Sequence, residues 1–139
     1  MRIFDCTTFY SEHLMMDIRF NILNEFVDKF IVCESTISHS GKKKKLNFDI
    51  NNYPKFKDKI NYIVIDEEPL NIIGDKNGLA EPYEQRSDSL KRIELSYDYM
   101  IKALSGVNDD DLIILSDNDE IPNLDSIPVS YTHLTLPTI

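Results

Sequence analysis

Two carboxylates, Asp117 and Asp119, follow the apolar run Leu112–Leu115 in the segment DLIILSDNDEIP. Four apolar residues followed by turn-forming residues predict a buried strand of a parallel sheet. Residues just past the carboxyl end of such a strand lie at the edge where open α/β sheets bind ligands. Because the aspartates are two positions apart, an extended backbone directs both side chains to one side. Like charges repel unless a cation lies beside them, so the motif predicts a metal site.

Other interpretations of this DxD motif compete with a metal site. The simplest is a solvated acidic turn. An EF-hand loop is excluded, because counting from Asp117 puts Pro122 where glycine is needed and Pro128 where glutamate is needed. A metal–diphosphate site fits, since hard divalent cations often take one or two protein carboxylates and complete their shell with substrate phosphates. A phosphatase of the haloacid dehalogenase type is a further alternative, but its DxD follows the first strand of its core.

The elements that must position this motif follow from periodicity. Strands are predicted within residues 2–10, at 30–33, at 60–66 and at 111–116. Apolar residues at helical spacing predict one helix over residues 12–26 and a second from Ser87 onward, with Ser87 or Ser89 as its N-cap and Gly106 just beyond its end. Residues 66–86 are expected to form a long irregular connection. The order β-α-β-loop-β-α-β predicts an α/β fold with a mostly parallel sheet.

Composition limits the function classes that need to be considered. The 139 residues suffice for one modest domain, and a formal net charge of −9 argues against general nucleic-acid binding, which needs a basic face. No apolar run approaches the length of a transmembrane helix, and the N-terminus lacks a signal-peptide pattern. We therefore expect a cytoplasmic protein, with peripheral association at a membrane as the alternative.

The cysteines and histidines do not predict a metal site. Cys6 and Cys33 form no CxxC motif and lie in apolar stretches, so both are expected to be buried, reduced thiols. The three histidines lack a ligand spacing such as HExxH, which argues against zinc.

The tail VSYTHLTLPTI, residues 129–139, differs from the rest of the chain. It contains no Asp, Glu, Lys, Arg or Asn, whereas the preceding residues are rich in them. It also resembles the translated read-through of a transposon-derived sequencing adapter. We expect this tail to be non-native and leave it out of the fold prediction. Residues 1–128 would then be the N-terminal part of a longer protein.

Several segments in order carry a family resemblance: IFDCTTFYSE, IRFNIL, VDKFIVCEST, HSGKKK, FKDKINYIVID, EQR and DLIILSDNDEIP. Over about residues 2–124 the chain resembles the family 17 glycosyltransferases, the family of the β-1,4-mannosyl-glycoprotein 4-β-N-acetylglucosaminyltransferases. The last segment is the most specific. Family members often carry a tryptophan shortly before Gln-Arg. This chain has no tryptophan, so a difference in the acceptor-facing loop is expected.

The resemblance implies a GT-A-like, Rossmann-like sheet that binds a UDP-sugar donor through residues 1–128. It implies inverting transfer of N-acetylglucosamine from UDP-GlcNAc to a glycan acceptor, the family case being the mannose of an N-glycan. It also implies a divalent metal, Mn²⁺ or Mg²⁺. The catalytic base is expected in a missing C-terminal part, so no catalytic residue is assigned and the fragment is expected to be inactive. A non-catalytic nucleotide-sugar-binding fragment is the remaining alternative.

The same resemblance nominates binding residues. Asp119 is the first candidate for direct metal ligation. Asp117 is a candidate for the metal, either directly or through a bound water, and for the ribose. Glu34, at the end of the second strand, is a candidate for ribose or uracil, and Thr7 for the nucleotide pocket. Arg86 is expected to pair with phosphate or with the aspartates, with a surface salt bridge as the alternative.

Two further expectations concern residues outside the DxD motif. The lysines at 42–45 could attract a diphosphate, but at least three of them are expected to be solvated. Tyr97 and Met100, on the second helix, are expected to be core residues.

Overall fold

The computed structural model of the chain describes residues 1–74 and 76–126. The tail at 129–139, with its predicted non-native origin, lies outside the described residues.

Within the described residues, four parallel strands form one sheet. They are β1 (Ile3–Thr8), β2 (Lys29–Ser35), β3 (Ile60–Ile65) and β4 (Leu112–Leu115). Their order is β3-β2-β1-β4, with Phe4 opposite Lys29 on one side of β1 and opposite Ile113 on the other. Strands β2 and β3 are therefore added in turn on one side of β1, and β4 is then added on its other side. The predicted α/β fold with a parallel sheet is confirmed.

This sheet is flanked by the α-helices α1 (His13–Leu23) and α2 (Pro82–Ala103). Alternate residues of β2 face opposite layers, as the period of a strand requires. Phe30 and Val32 pack with α1, whereas Ile31 and Cys33 pack with α2. Each face of the sheet thus has its own apolar core, so the central strands are buried on both faces.

The core beneath α1 is largely aromatic. Phe20 of α1 meets Phe30 of β2 edge to face, with ring centroids 4.8 Å apart, and also packs against Tyr53 and Phe56. Burying each such ring stabilises the fold by roughly 1.5–3 kcal/mol. This cluster fixes the position of α1 against the sheet.

Helix α2 begins five residues before the predicted Ser87, so that part of the prediction is wrong. Glu81 is the N-cap and forms a reciprocal capping box with Glu84, while Pro82 occupies the first turn. Proline is favoured there because its missing N–H would have no partner in the helix. Ser89 instead donates its hydroxyl to the carbonyl of His39. The end of α2 agrees with the prediction, with Gly106 at φ +83° shortly after it.

Strand β4 is not the buried strand that its sequence predicts. Only Ile114 is buried, while Ile113 and Leu115 are 44% and 48% exposed. The reason is topological, because α2 packs over β2 and β3, whereas β4 lies at the edge of the described sheet. The prediction of two core residues on α2 is half correct, since Met100 is buried but Tyr97 is 38% exposed.

Cys6 and Cys33 are buried free thiols, as predicted. Burial raises the pKa of each thiol to about 12, so both remain protonated near neutral pH. Neither α1 nor α2 combines the length and apolarity needed to cross a bilayer.

Candidate functional site

A cleft of about 770 Å³ lies at the carboxyl ends of the parallel strands. It includes the point where the chain switches from one side of β1 to the other, which is where open α/β sheets bind ligands. Its apolar lining comes from both layers and includes Phe9, Met15, Cys33, Ile65 and Leu95. Its charged and polar lining includes Glu12, His39, Lys44, Arg92, Asp117, Asn118 and Asp119.

Asp117 and Asp119 both line this cleft and are exposed to it. Asn118 lies between them and donates its side-chain amide to the carbonyl of Thr8, 3.3 Å away, which ties the loop to the end of β1. Within residues 1–74 and 76–126, neither carboxylate forms an ion pair with a lysine or arginine. Two oxygen ligands are therefore presented to the cleft without a cationic partner.

Arg19 holds the loop that carries these aspartates. Its guanidinium is fully buried and makes a bidentate ion pair with Asp5 of β1, at 2.8 and 2.7 Å. The same group donates to the backbone carbonyls of Asp117, Asn118 and Glu120, at 2.8, 3.2 and 3.1 Å. A planar guanidinium has five N–H donors in a fixed fork, which is what this many acceptors require.

The sequence analysis missed Arg19 and Asp5, although a signal was present. Each is a charged residue within an apolar pattern: Asp5 in the strand segment IFDCTT, and Arg19 one position before the core residue Phe20. Opposite charges at two positions that both face the same core predict a buried pair.

Glu34 does not line the cleft, because its neighbours Cys33 and Ser35 face that way and Glu34 points to the other side of the sheet. Its buried carboxylate accepts from the ammonium of Lys44 at 2.7 Å, from the backbone N–H groups of Asn47 and Phe48, and from the hydroxyl of Tyr62. Burial raises the pKa of Glu34, but these hydrogen bonds outweigh burial, so the pKa is below its ordinary value. Through these contacts Glu34 anchors the loop at 36–48.

Thr7 and Arg86 are likewise outside the cleft lining. Thr7 is buried on the same side of β1 as Asp5, whereas Thr8 faces the cleft. Arg86 is exposed on the second turn of α2. The structure therefore brings together Asp117 and Asp119 of the five nominated residues, and it leaves Glu34, Thr7 and Arg86 elsewhere.

The loop at 36–48 forms the opposite wall of the cleft. Its His39 carbonyl accepts from Arg92 and Ser89 of α2, at 2.9 and 2.8 Å. Partial burial lowers the pKa of the His39 imidazole, and the nearby negative charge of Asp117 opposes that shift. Of the lysines at 42–45, Lys44 alone lines the cleft; its ammonium is also 5.3 Å from the ring centroid of Tyr10. The expectation that at least three of the four are solvated agrees with this arrangement.

The donor set at Asp117 and Asp119 fits a hard divalent cation with an incomplete protein shell. Among the described residues there is no cluster of three or more His, Cys, Asp or Glu side chains that could enclose a metal. Mg²⁺-like ions commonly use one or two carboxylates and leave the other positions to water and phosphate oxygens. The arrangement suits a metal shared with a ligand better than a fully enclosed structural metal.

A sequence model of glycosyltransferase family 17 matches residues 1–135. The chain belongs to this family. It is 28% identical over 130 residues to the β-1,4-mannosyl-glycoprotein 4-β-N-acetylglucosaminyltransferases of Rattus norvegicus and Homo sapiens, and 27% identical to that of Mus musculus. The aligned part is 91% of this chain but 22% to 23% of those proteins. This family 17 chain thus spans less than a quarter of the length of the curated relatives it matches. No solved structure matches it significantly.

Proposed function

We propose that the chain forms the donor-binding part of an inverting, metal-dependent glycosyltransferase that transfers N-acetylglucosamine from UDP-GlcNAc to a glycan. The observation that supports this most directly is the pair Asp117 and Asp119, which lines a cleft at the carboxyl edge of the sheet. Membership of glycosyltransferase family 17 supports the reaction class. The names of the relatives support N-acetylglucosamine as the transferred sugar.

In this proposal Asp119 ligates Mn²⁺ or Mg²⁺ directly, and Asp117 holds the same ion, either directly or through a water, or contacts the ribose. The ion, when bound, would neutralise the negative charge that develops on the UDP diphosphate as it leaves. The apolar lining from Cys33, Ile65 and Leu95 offers a water-poor surface to the nucleoside. In a GT-A-like donor site, the aspartates would hold the metal that binds the diphosphate, and the apolar lining would contact the nucleoside.

The haloacid dehalogenase alternative is not favoured. Its nucleophilic aspartate belongs on the first strand of the core, whereas Asp117 follows β4. The aspartate that does lie on the first strand, Asp5, is buried in its ion pair with Arg19. A donor-binding chain without turnover remains the second candidate function, and it makes the same prediction for UDP.

Calorimetric titration of UDP in the presence of Mn²⁺ tests the donor site. We expect binding that EDTA abolishes and that Asp119→Asn weakens by about 2 kcal/mol or more, roughly thirtyfold, because one ligand of the shared cation loses its charge. Glu120→Gln is the matched control. It makes the same change of charge one residue away, on a side chain that does not line the cleft. UDP binding that survives both EDTA and Asp119→Asn would contradict the proposal.

A further inference from the structure

The guanidinium of Arg19 has an acceptor for every N–H group. Nε and one Nη bind the two oxygens of Asp5, and that Nη also donates to the Ser116 hydroxyl at 2.7 Å. The other Nη faces three carbonyls of the loop at 116–120. A lysine ammonium has only three donors and cannot reproduce this fork.

These contacts determine how the loop faces the cleft. Three carbonyls from four consecutive residues, 117–120, converge on one buried nitrogen. The Ser116 hydroxyl donates to the Glu120 carbonyl at 3.0 Å, and the Glu120 N–H donates to the Asp117 carbonyl at 3.0 Å, which closes the loop on itself. With the carbonyls turned inward, the Asp117 and Asp119 side chains lie on the cleft side.

The charge of Arg19 is equally important. A guanidinium beneath two carboxylates is a natural partner for them and would compete with a metal ion. Here the bidentate pair with Asp5 neutralises that charge within the protein. Arg19 therefore reaches the loop through neutral carbonyls, and the carboxylates keep their charge for the cleft.

We propose that Arg19 is the positioning residue for the metal-binding loop, and that Asp5 keeps its charge away from Asp117 and Asp119. This inference rests on the proposed metal-binding function of the two aspartates and names the group that prepares them. It assigns a functional reason to a buried ion pair that packing alone does not require, because such pairs contribute little net stability relative to apolar residues.

Arg19→Lys tests the positioning role in the full chain. The variant keeps the positive charge and loses the fork. We expect the amide proton of Glu120, which donates to the Asp117 carbonyl, to lose protection from exchange in the metal-free protein, and Mn²⁺ affinity measured by electron paramagnetic resonance to fall about 10–100-fold, the usual cost of losing a supporting partner of a metal ligand. Phe56→Leu is the control for lost stability, because Phe56 is a core residue just before β3, away from the loop. It should change neither measurement.

Asp5→Asn tests the charge role and keeps the shape of the side chain. It leaves the positive charge of Arg19 uncompensated below the aspartates, so Mn²⁺ affinity should fall while protection of the Glu120 amide is retained. Because Arg19 is buried, added salt should screen its charge only weakly, so the loss of Mn²⁺ affinity should depend little on ionic strength. A purely structural role for Asp5 predicts that affinity and protection change together.

The outcomes separate this inference from the proposed function. If the wild-type chain binds no Mn²⁺, the proposed function fails, and protection of the Glu120 amide in Arg19→Lys alone decides the positioning role. If Arg19→Lys does not fold, Asp5→Asn decides. A folded Arg19→Lys that retains both loop protection and Mn²⁺ affinity overturns the inference.

Discussion

Two loops at the carboxyl edge of the sheet are held by buried charges of opposite sign. The loop at 36–48 is anchored on a carboxylate, Glu34, which collects N–H and O–H donors. The loop at 116–120 is anchored on a guanidinium, Arg19, which collects carbonyls. Both anchoring side chains are buried, and both loops line the same cleft.

The difference between the anchors explains the difference between the two walls of the cleft. Glu34 accepts from backbone donors of its loop and pairs with Lys44, so the one lysine of that loop that lines the cleft already has a negative partner. Arg19 binds backbone acceptors and has its own charge neutralised by Asp5, so the opposite wall keeps two carboxylates that have no ion-pair partner among the described residues. A buried charge can thus order a loop in two ways. It can pair with a charged side chain of the loop, as Glu34 does, or bind only neutral backbone groups and leave the charged side chains unpaired, as Arg19 does.

The largest expected effect comes from removing the cationic anchor. Arg19→Met should lower the free energy of unfolding by about 3–5 kcal/mol, because Asp5 is left buried without a partner and the loop carbonyls lose their donor. Urea denaturation of the purified chain would measure this loss.

A second substitution separates the ion pair from the carbonyls. The double variant Arg19→Met/Asp5→Leu no longer buries an unpaired carboxylate, so part of the lost stability should return. The loop at 116–120 should remain disordered, because its carbonyls still lack the donor that Arg19 supplies. Full recovery of both stability and loop order would mean that the carbonyl contacts contribute nothing.

The anionic anchor should have a smaller and pH-dependent effect. Glu34→Gln should cost about 2–3 kcal/mol at pH 7, less than the loss of Arg19, since the partner Lys44 is 11% exposed and can turn towards water. The pKa of Glu34 is lowered in the fold despite burial, so its contribution is complete above the unfolded-state value of about 4.3 and is lost as pH falls through the folded value. Denaturation curves of both proteins should converge as the pH falls below the unfolded-state value and through the lower folded-state value, whereas a constant difference would contradict this.

The order of elements and the placement of Asp117 and Asp119 were predictable from the sequence. Apolar periodicity identifies each strand and helix, and the edge rule for parallel sheets then places whatever follows β4 in the cleft. The start of α2 was missed because serine is a common N-cap, whereas here the Glu81 and Glu84 box with Pro82 begins the helix.

The roles of side chains on the strands were harder to predict, since they depend on which face a residue occupies. A shift of one position reverses the face, so Thr7 and Glu34 were nominated where Thr8 and Ser35 line the cleft. Arg19 was missed for a related reason. Its spacing from Met16 and Phe20 places it on the buried face of α1, where an arginine is expected only with a buried partner such as Asp5.

The smallest expected effect concerns a single donor to the anionic anchor. Tyr62→Phe removes the hydroxyl that donates to Glu34 at 2.7 Å, while three other donors remain. We expect a loss of about 1–1.5 kcal/mol at pH 7, and a smaller loss once the pH is below the lowered pKa of Glu34, because the bond is strong only while Glu34 is charged. Tyr53→Phe is the matched control, since its hydroxyl donates to the neutral carbonyl of His13 at 3.3 Å, and its cost should be smaller and should not vary over this range. Equal, pH-independent losses for the two variants would show that Glu34 is not the charged anchor of its loop.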